Sequence, residues 1–212
     1  MKKISKKIFF FIVIILFISI LPINKIFDYS KKIGLIVVDY PISSSEQFNK
    51  DLDYLVDRGD INSIIIKLNT PGGGVAASQE IYNRIKSTKE DYDIEFISSV
   101  EGIAASGGYY VAIATDKIFA NSGSITGSIG VIMEYPVVKD LLDVIGIEFQ
   151  TVKSSTFKDS GSPFREMTLI ETEYFQELIN DLYDQFVEEV SRQRDIPKDQ
   201  LLNIADGKVF SG

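Results

Sequence analysis

Neither histidine nor cysteine occurs anywhere in this 212-residue chain. The two absences remove most of the common reactive constellations. There is no disulfide framework, no cysteine nucleophile, no serine–histidine pair and no zinc site of the usual kinds. Only carboxylates remain as metal ligands, and they show no ligand-like spacing, so neither metal nor cofactor is expected. Basic residues are also short: 22 Lys and Arg stand against 30 Asp and Glu, for a net charge of −8. With no basic cluster beyond the N-terminus, nucleic acid is not expected as a partner. What the chain does have is apolar residues, 45% of the total. That is enough for one ordinary core plus an appendage.

The appendage is at the N-terminus. Lys2, Lys3, Lys6 and Lys7 precede the run IFFFIVIILFISIL, 14 residues over 8–21, and Ile23, Ile26 and Phe27 extend it. Counting to Phe27 gives 20 residues, close to the roughly 20 that span a bilayer. Lys25 falls within that extension, where its long stem can carry the amine to the interface. The following SILPINKIF has no small-residue cleavage pattern, so a retained anchor is expected rather than a signal peptide. The lysines place the N-terminus in the cytoplasm and the rest of the chain outside the cell membrane, which it crosses once. The expected organisation is a basic tail over 1–7, an anchor over 8–27, a linker over 28–32 and a catalytic domain over 33–212.

Within 33–212, strand-like and helix-like stretches alternate. IGLIVVDY (33–40), INSIIIKLN (61–69) and IEFISSV (94–100) read as buried strands. The stretches 43–58 and 75–89 between them read as helices, the first with Phe48, Leu52, Leu55 and Val56 on one face. GSIGVIMEY (127–135) is strand-like, 136–145 helical, and IEFQTV (147–152) a further strand. A long amphipathic helix is expected over 168–194, with the stripe Leu169, Ile170, Tyr174, Leu178, Leu182, Phe186 and Val190. Alternation of this kind implies an α/β fold with a largely parallel sheet and flanking helices.

Three glycine-rich turns follow strand-like segments: NTPGGGV, AASGGYY and GSITGSIGV. Loops at the carboxyl ends of parallel strands are where ligands sit, although each turn taken alone is better explained by packing or turn geometry. None is a phosphate loop, because PGGGVAAS lacks the Gly-Lys-Ser/Thr ending. Ser106, among Ala104, Ala105, Gly107 and Gly108, resembles a nucleophile elbow. The N–H of Gly107 would lie next to that hydroxyl, and the Gly72–Gly73 backbone could supply a second oxyanion donor. Each such donor contributes about 3–4 kcal/mol to the transition state.

A serine nucleophile needs a base, and histidine is absent. Carboxylates are weak bases toward an alcohol, which leaves a lysine made neutral by its surroundings. From an ordinary value near 10.4 its pKa must fall by about three units. The polar stretch TVKSSTFKDSGSPFREMT (151–168) offers Lys153 and Lys158. The residues alone do not choose between them.

Taken together, NTPGGGV, AASGGYY, GSITGSIGV and FKDSGSPFREMT closely resemble the bacterial signal peptide peptidase A family, membrane-anchored serine–lysine peptidases with the Clp protease/crotonase type of fold. The resemblance runs from about residue 33 to 212. It implies that Ser106 is the nucleophile and that Lys158, 52 residues on, is the general base. Ser128 matches the serine that orients the lysine amine, and Gly72 or Gly73 with Gly107 matches the oxyanion hole. It further implies remnant signal peptides as substrates, and a ring-like homo-oligomer in which serine and lysine meet across an interface. In the family the segment matching ADGKVFSG leads into a further helix and strand, so the domain is expected to be cut short at Gly212. A crotonase-like acyl-CoA enzyme would share the fold and the oxyanion loop, but export across the membrane separates it from cytosolic acyl-CoA. A non-catalytic scaffold would have little need of both Ser106 and Lys158.

Overall fold

Three runs rich in isoleucine and valine form the centre of the sheet. β1 (Lys32–Val38), β2 (Ile61–Thr70) and β3 (Glu95–Ala105) lie side by side and parallel in the computed structural model, which describes residues 32–212. The anchor expected over 8–27, the basic tail and most of the linker lie outside the described residues. Among those described, no helix is long and apolar enough to cross a membrane.

Register puts the large residues of one face in rows. Ile36 stands opposite Ile66 and Val38 opposite Leu68, while Leu68 faces Val100 on the other side. Parallel neighbours cannot be joined by a hairpin, so each connection crosses over through a helix: α1 (Glu46–Asp57) after β1 and α2 (Val75–Asp91) after β2. Phe48 and Leu52 of α1 and Ile81 and Ile85 of α2 are fully buried with those strand residues in one core. Each such side chain contributes about 1.5–3 kcal/mol through its removal from water. The alternate residues of β1, Ile33, Leu35 and Val37, are exposed.

β3 changes neighbours along its length. Its first part pairs with β4 (Lys117–Ala120), and its last residues, Ile103 to Ala105, pair with β5 (Ile125–Gly127), both in parallel. β5 is joined on its outer side by the antiparallel β6 (Val209–Ser211). The result is a mixed α/β fold with a mainly parallel sheet and packed helices. β3 outruns the segment expected from its apolar run by five residues, because backbone pairing with β5 holds Ile103 to Ala105 after the side-chain pattern has stopped.

The remaining elements are α3 (Gly107–Ala112), α4 (Lys139–Ile145), a 3₁₀ turn (Thr156–Asp159), α5 (Leu169–Arg194) and α6 (Lys198–Leu201). Two expected strands are corrected. The segment 127–135 contributes only Gly127 to a strand, and 147–152 forms none. Alternating apolar residues need a strand edge to pair with, and the described chain brings none to 147–152; Ile147, Phe149 and Val152 are exposed instead. α5 forms as expected, with Thr168 and Glu171 closing a capping box at its start. Its apolar stripe, however, is covered along the second half only. Phe186 and Val190 are buried, whereas Leu169 is 76% exposed and Ile170, Tyr174 and Leu178 are also exposed.

Candidate active site

Between the last residue of β3 and the first of α3 there is a single residue, Ser106. Its backbone sits at φ 52°, ψ −120°, a region that residues with a side chain seldom occupy and that surrounding structure must enforce. The Ser106 N–H donates to the Gly127 carbonyl at 2.9 Å, and its own carbonyl accepts from the Tyr110 N–H at 2.9 Å. Tyr110 in turn packs against Tyr82 and Phe186 in the core, with ring centroids 5.2 and 4.7 Å away. The strained serine is therefore tied at both ends to rigid elements.

The small residues around it are required by packing. A Cβ on Gly107 would lie 2.2 Å from Ser78 Oγ on α2 and 3.2 Å from the Gly73 nitrogen. A Cβ on Gly108 would lie 2.8 Å from Thr70 Cγ2 at the end of β2. The loop Pro71–Gly74 is pressed against this turn, and Thr70 Oγ1, which donates to the Tyr40 carbonyl at 2.6 Å, accepts from the Gly72 N–H at 3.2 Å. The Ile42 backbone holds the loop from its other side, donating to the Gly72 carbonyl and accepting from the Gly74 N–H. That leaves the Gly73 and Gly107 N–H groups near each other, neither with a hydrogen-bond partner among the described residues. Of the two oxyanion candidates in this loop, Gly72 has its donor engaged and Gly73 does not.

Ser106 and Ser128 are both half-buried and both line a cleft of about 760 Å³, together with Gly72 and Gly73. Ser128 also has a positive φ, 54°, and its N–H donates to the Lys208 carbonyl at 2.7 Å, next to the β5–β6 ladder. Ile179 and Tyr183 of α5 form one wall. Among the described residues, two titratable side chains line the cleft, Tyr183 and Asp206. Tyr183 donates to the Ala205 carbonyl at 2.6 Å, and burial raises its pKa. The Lys208 ammonium holds the Asp206 carboxyl below its ordinary range. Among the described residues, no lysine lines the cleft.

Lys153 and Lys158 both lie outside it, on and before the exposed 3₁₀ turn that leads to α5. Their situations differ. The Lys153 amine is 2.5 Å from Asp159 Oδ1 and donates to the Thr156 carbonyl at 3.0 Å. The Lys158 side chain is exposed, and among the described residues its amine has no hydrogen-bond or ion-pair partner. The chain thus brings Ser106, Ser128, Gly73 and Gly107 together and leaves Lys158 apart from them.

Beneath the turn is a group of residues that sequence reasoning did not single out. Arg165 donates through Nε and Nη2 to both oxygens of Asp159, at 2.9 and 2.8 Å, and through Nη1 to Glu171 Oε2 at 2.8 Å. Glu171 is 1% exposed, and it also accepts from Ser160 Oγ and from the N–H and hydroxyl of Thr168. Arg165 is the main cause holding both carboxyls well below the ordinary carboxylate range. The spacing Thr-x-x-Glu at 168–171 is a readable signal for the capping box, whereas nothing local marks Arg165.

A strained serine at a strand-to-helix junction thus lies at a cleft beside two amides that have no partner among the described residues, on the mainly parallel sheet of an α/β protein. The chain belongs to peptidase family S49, whose model matches residues 88–212. A Clp protease model matches residues 25–124. The chain is 40% identical over 150 residues to a Synechocystis protein and 36% identical over 186 residues to a Methanocaldococcus jannaschii protein, both named "Putative protease". It is 33% identical over 174 residues to the "Putative signal peptide peptidase SppA" of Enterococcus faecium. These matches cover 71%, 88% and 80% of the chain but 53%, 58% and 50% of the respective relatives. The chain thus spans about half the length of the curated relatives it matches.

Proposed function

We propose that this chain is a serine endopeptidase in which Ser106 attacks the peptide carbonyl and Lys158 acts as the base. The observation that carries the reading is the placement of Ser106 beside the two unpaired amides of Gly73 and Gly107. Ser106 Oγ forms a bond to the carbonyl carbon while its proton passes to the Lys158 amine. The carbonyl oxygen becomes an oxyanion that accepts from the Gly73 and Gly107 N–H groups. Collapse breaks the C–N bond, and the leaving amine takes the proton back from Lys158. Water then hydrolyses the acyl-serine by the same steps in reverse roles. Ser128, in the same cleft, is assigned to orienting the lysine amine. A substrate in extended conformation would lie beside the glycine-rich loop as an added strand, with small side chains near the scissile bond.

Because no lysine among the described residues lines the cleft, Lys158 is assigned to the cleft of a neighbouring copy. Exposed Leu169, Ile170, Tyr174 and Leu178 on the same arm supply an apolar contact surface for such a neighbour. A repeated head-to-tail contact of this kind closes into a ring. Remnant signal peptides are the proposed substrates, in line with the name of the Enterococcus relative and with an anchor over 8–27 that would keep the cleft near the outer membrane surface.

A fluorophosphonate probe tests the reading. It should label Ser106 in the wild-type chain and nothing in Ser106→Ala, whereas an acyl-CoA enzyme would stay unlabelled. Lys158→Ala should not cleave peptide, and neither should Lys158→Arg, since a guanidinium keeps its proton. An active Lys158→Arg protein would sink the lysine-base mechanism.

A further inference from the structure

We propose that Arg165, clamped between Asp159 and Glu171, is a positioning residue for the Lys158 amine, an assignment that rests on the reading of Lys158 as the base. Both sequence neighbours of Lys158 are pinned. On one side the Phe157 ring packs on Tyr174 of α5 with centroids 5.2 Å apart, and Tyr174 packs on Phe175. On the other side Arg165 grips Asp159 three times: both carboxylate oxygens and, through Nη2 at 3.2 Å, its main-chain carbonyl. The Lys158 N–H itself closes the turn by donating to the Ser155 carbonyl at 3.3 Å. Between these two fixed points the Lys158 side chain stands exposed. The turn is held on both flanks of Lys158, while the side chains of Thr156, Phe157 and Lys158 are all exposed.

Helix capping alone does not account for the cluster. The start of α5 is closed by Thr168 and Glu171, whose mutual bonds do not involve Asp159. The contacts from Arg165 to Asp159 add nothing to that helix end. They join it to the turn that carries Lys158. Burying Glu171 in an otherwise exposed arm is costly unless its partners are all present, and two of them reach the turn: Ser160 at its end and Arg165 through Asp159. Lys153 completes the cluster from the far side of Asp159. Its amine is committed there, so of the two lysines in this stretch one builds the support and the other is presented by it.

A base displaced by a fraction of an ångström slows proton transfer without weakening substrate binding. Arg165→Met should therefore lower kcat by about 10- to 100-fold while KM stays within about twofold. Arg165→Lys, which keeps a cation beside Asp159 and Glu171, should recover part of the loss. Asp159→Asn is the second variant: it is isosteric, leaves the capping box intact and should show the same split in kcat. Kinetics with a peptide substrate are compared with circular dichroism and the oligomeric state of each full-length variant. Wild-type kcat in Arg165→Met and Asp159→Asn, with Lys158→Ala dead, overturns the positioning role and leaves the base assignment standing. A loss of activity that only matches the loss of folded protein in both variants overturns it as well. Wild-type activity in Lys158→Ala would instead overturn the base assignment, and the positioning role with it.

Discussion

The backbone of Gly72 lies directly against that of Gly107: a Cβ added to Gly72 would stand 2.5 Å from the Gly107 nitrogen and 2.7 Å from the Ala105 carbonyl oxygen. Gly72 also has φ +98°, outside the range comfortable for a side chain. Gly72→Ala is expected to push the two loops apart, lower stability by about 1–3 kcal/mol and abolish labelling of Ser106. Gly59 supplies the control. It has φ +68° but nothing within 4 Å of an added Cβ, so Gly59→Ala should cost only about 1–2 kcal/mol of backbone strain and leave labelling intact. Equal loss of labelling in both would show that strain, not the Gly72–Gly107 contact, is what matters.

The proposed sharing of the site between copies predicts complementation. Ser106→Ala and Lys158→Ala should each be inactive alone, while their co-expression restores activity at those interfaces that pair an intact serine with an intact lysine. The assay needs assemblies shown to contain both variants. Inactivity in such mixed assemblies would place the dyad within one chain.

Acid should loosen the arm before it unfolds the core. Asp159 and Glu171 have pKa values in the folded chain below their ordinary 3.8 and 4.5, held there chiefly by Arg165. The folded arm therefore binds these protons less readily than the unfolded one. Its stabilisation is complete above the ordinary carboxylate range and is lost as pH falls through that range toward the folded values. Hydrogen exchange over 153–171 should quicken between about pH 5 and pH 3 while β2 and β3 stay protected. Glu171→Gln should weaken that dependence, and exchange in the arm that is flat over this interval would contradict the assignment.

Substitutions in core and arm should separate stability from assembly. Phe48, fully buried, should cost about 3–5 kcal/mol when changed to alanine. Ile170→Ser and Leu178→Ser, at exposed positions of α5, should change the stability of the isolated chain by no more than about 0.5 kcal/mol. They should lower the assembled fraction in sedimentation. Assembly unaffected by both serine variants would remove α5 from the contact.

The central sheet was legible in the sequence because its signals are local. Runs such as INSIIIKLN specify strands wherever they are, and the helices between them declare themselves by spacing. Ser106 was legible for a related reason: only small residues fit a junction that crowds Thr70 on one side and Ser78 on the other. The arm was harder to read. IEFQTV alternates like a strand, yet a strand exists only with a partner edge, and that edge is not a property of the segment. The stripe of α5 was found, but which half would be covered depends on how far the core extends. Arg165 escaped notice because a long basic residue in a polar loop has the same local pattern whether it is solvated or fully engaged.

The pairing of β5 with β6 also sets an order in time. β1, α1, β2, α2 and β3 are consecutive, and each can dock on the last as the chain emerges from the ribosome. Ser106 and its two amides belong to that early part or follow directly on it, although the Ser106 N–H still needs the Gly127 carbonyl. The seat of Ser128 does not, because its N–H waits for the Lys208 carbonyl and Gly127 for the ring of Phe210, whose Cδ2 would lie 2.7 Å from a Gly127 Cβ. About 80 residues separate the two sides of that contact, a loop whose closure is entropically slow. On the proposed reading, a chain still being translated carries its nucleophile before Ser128, the residue assigned to orienting the base, has its seat.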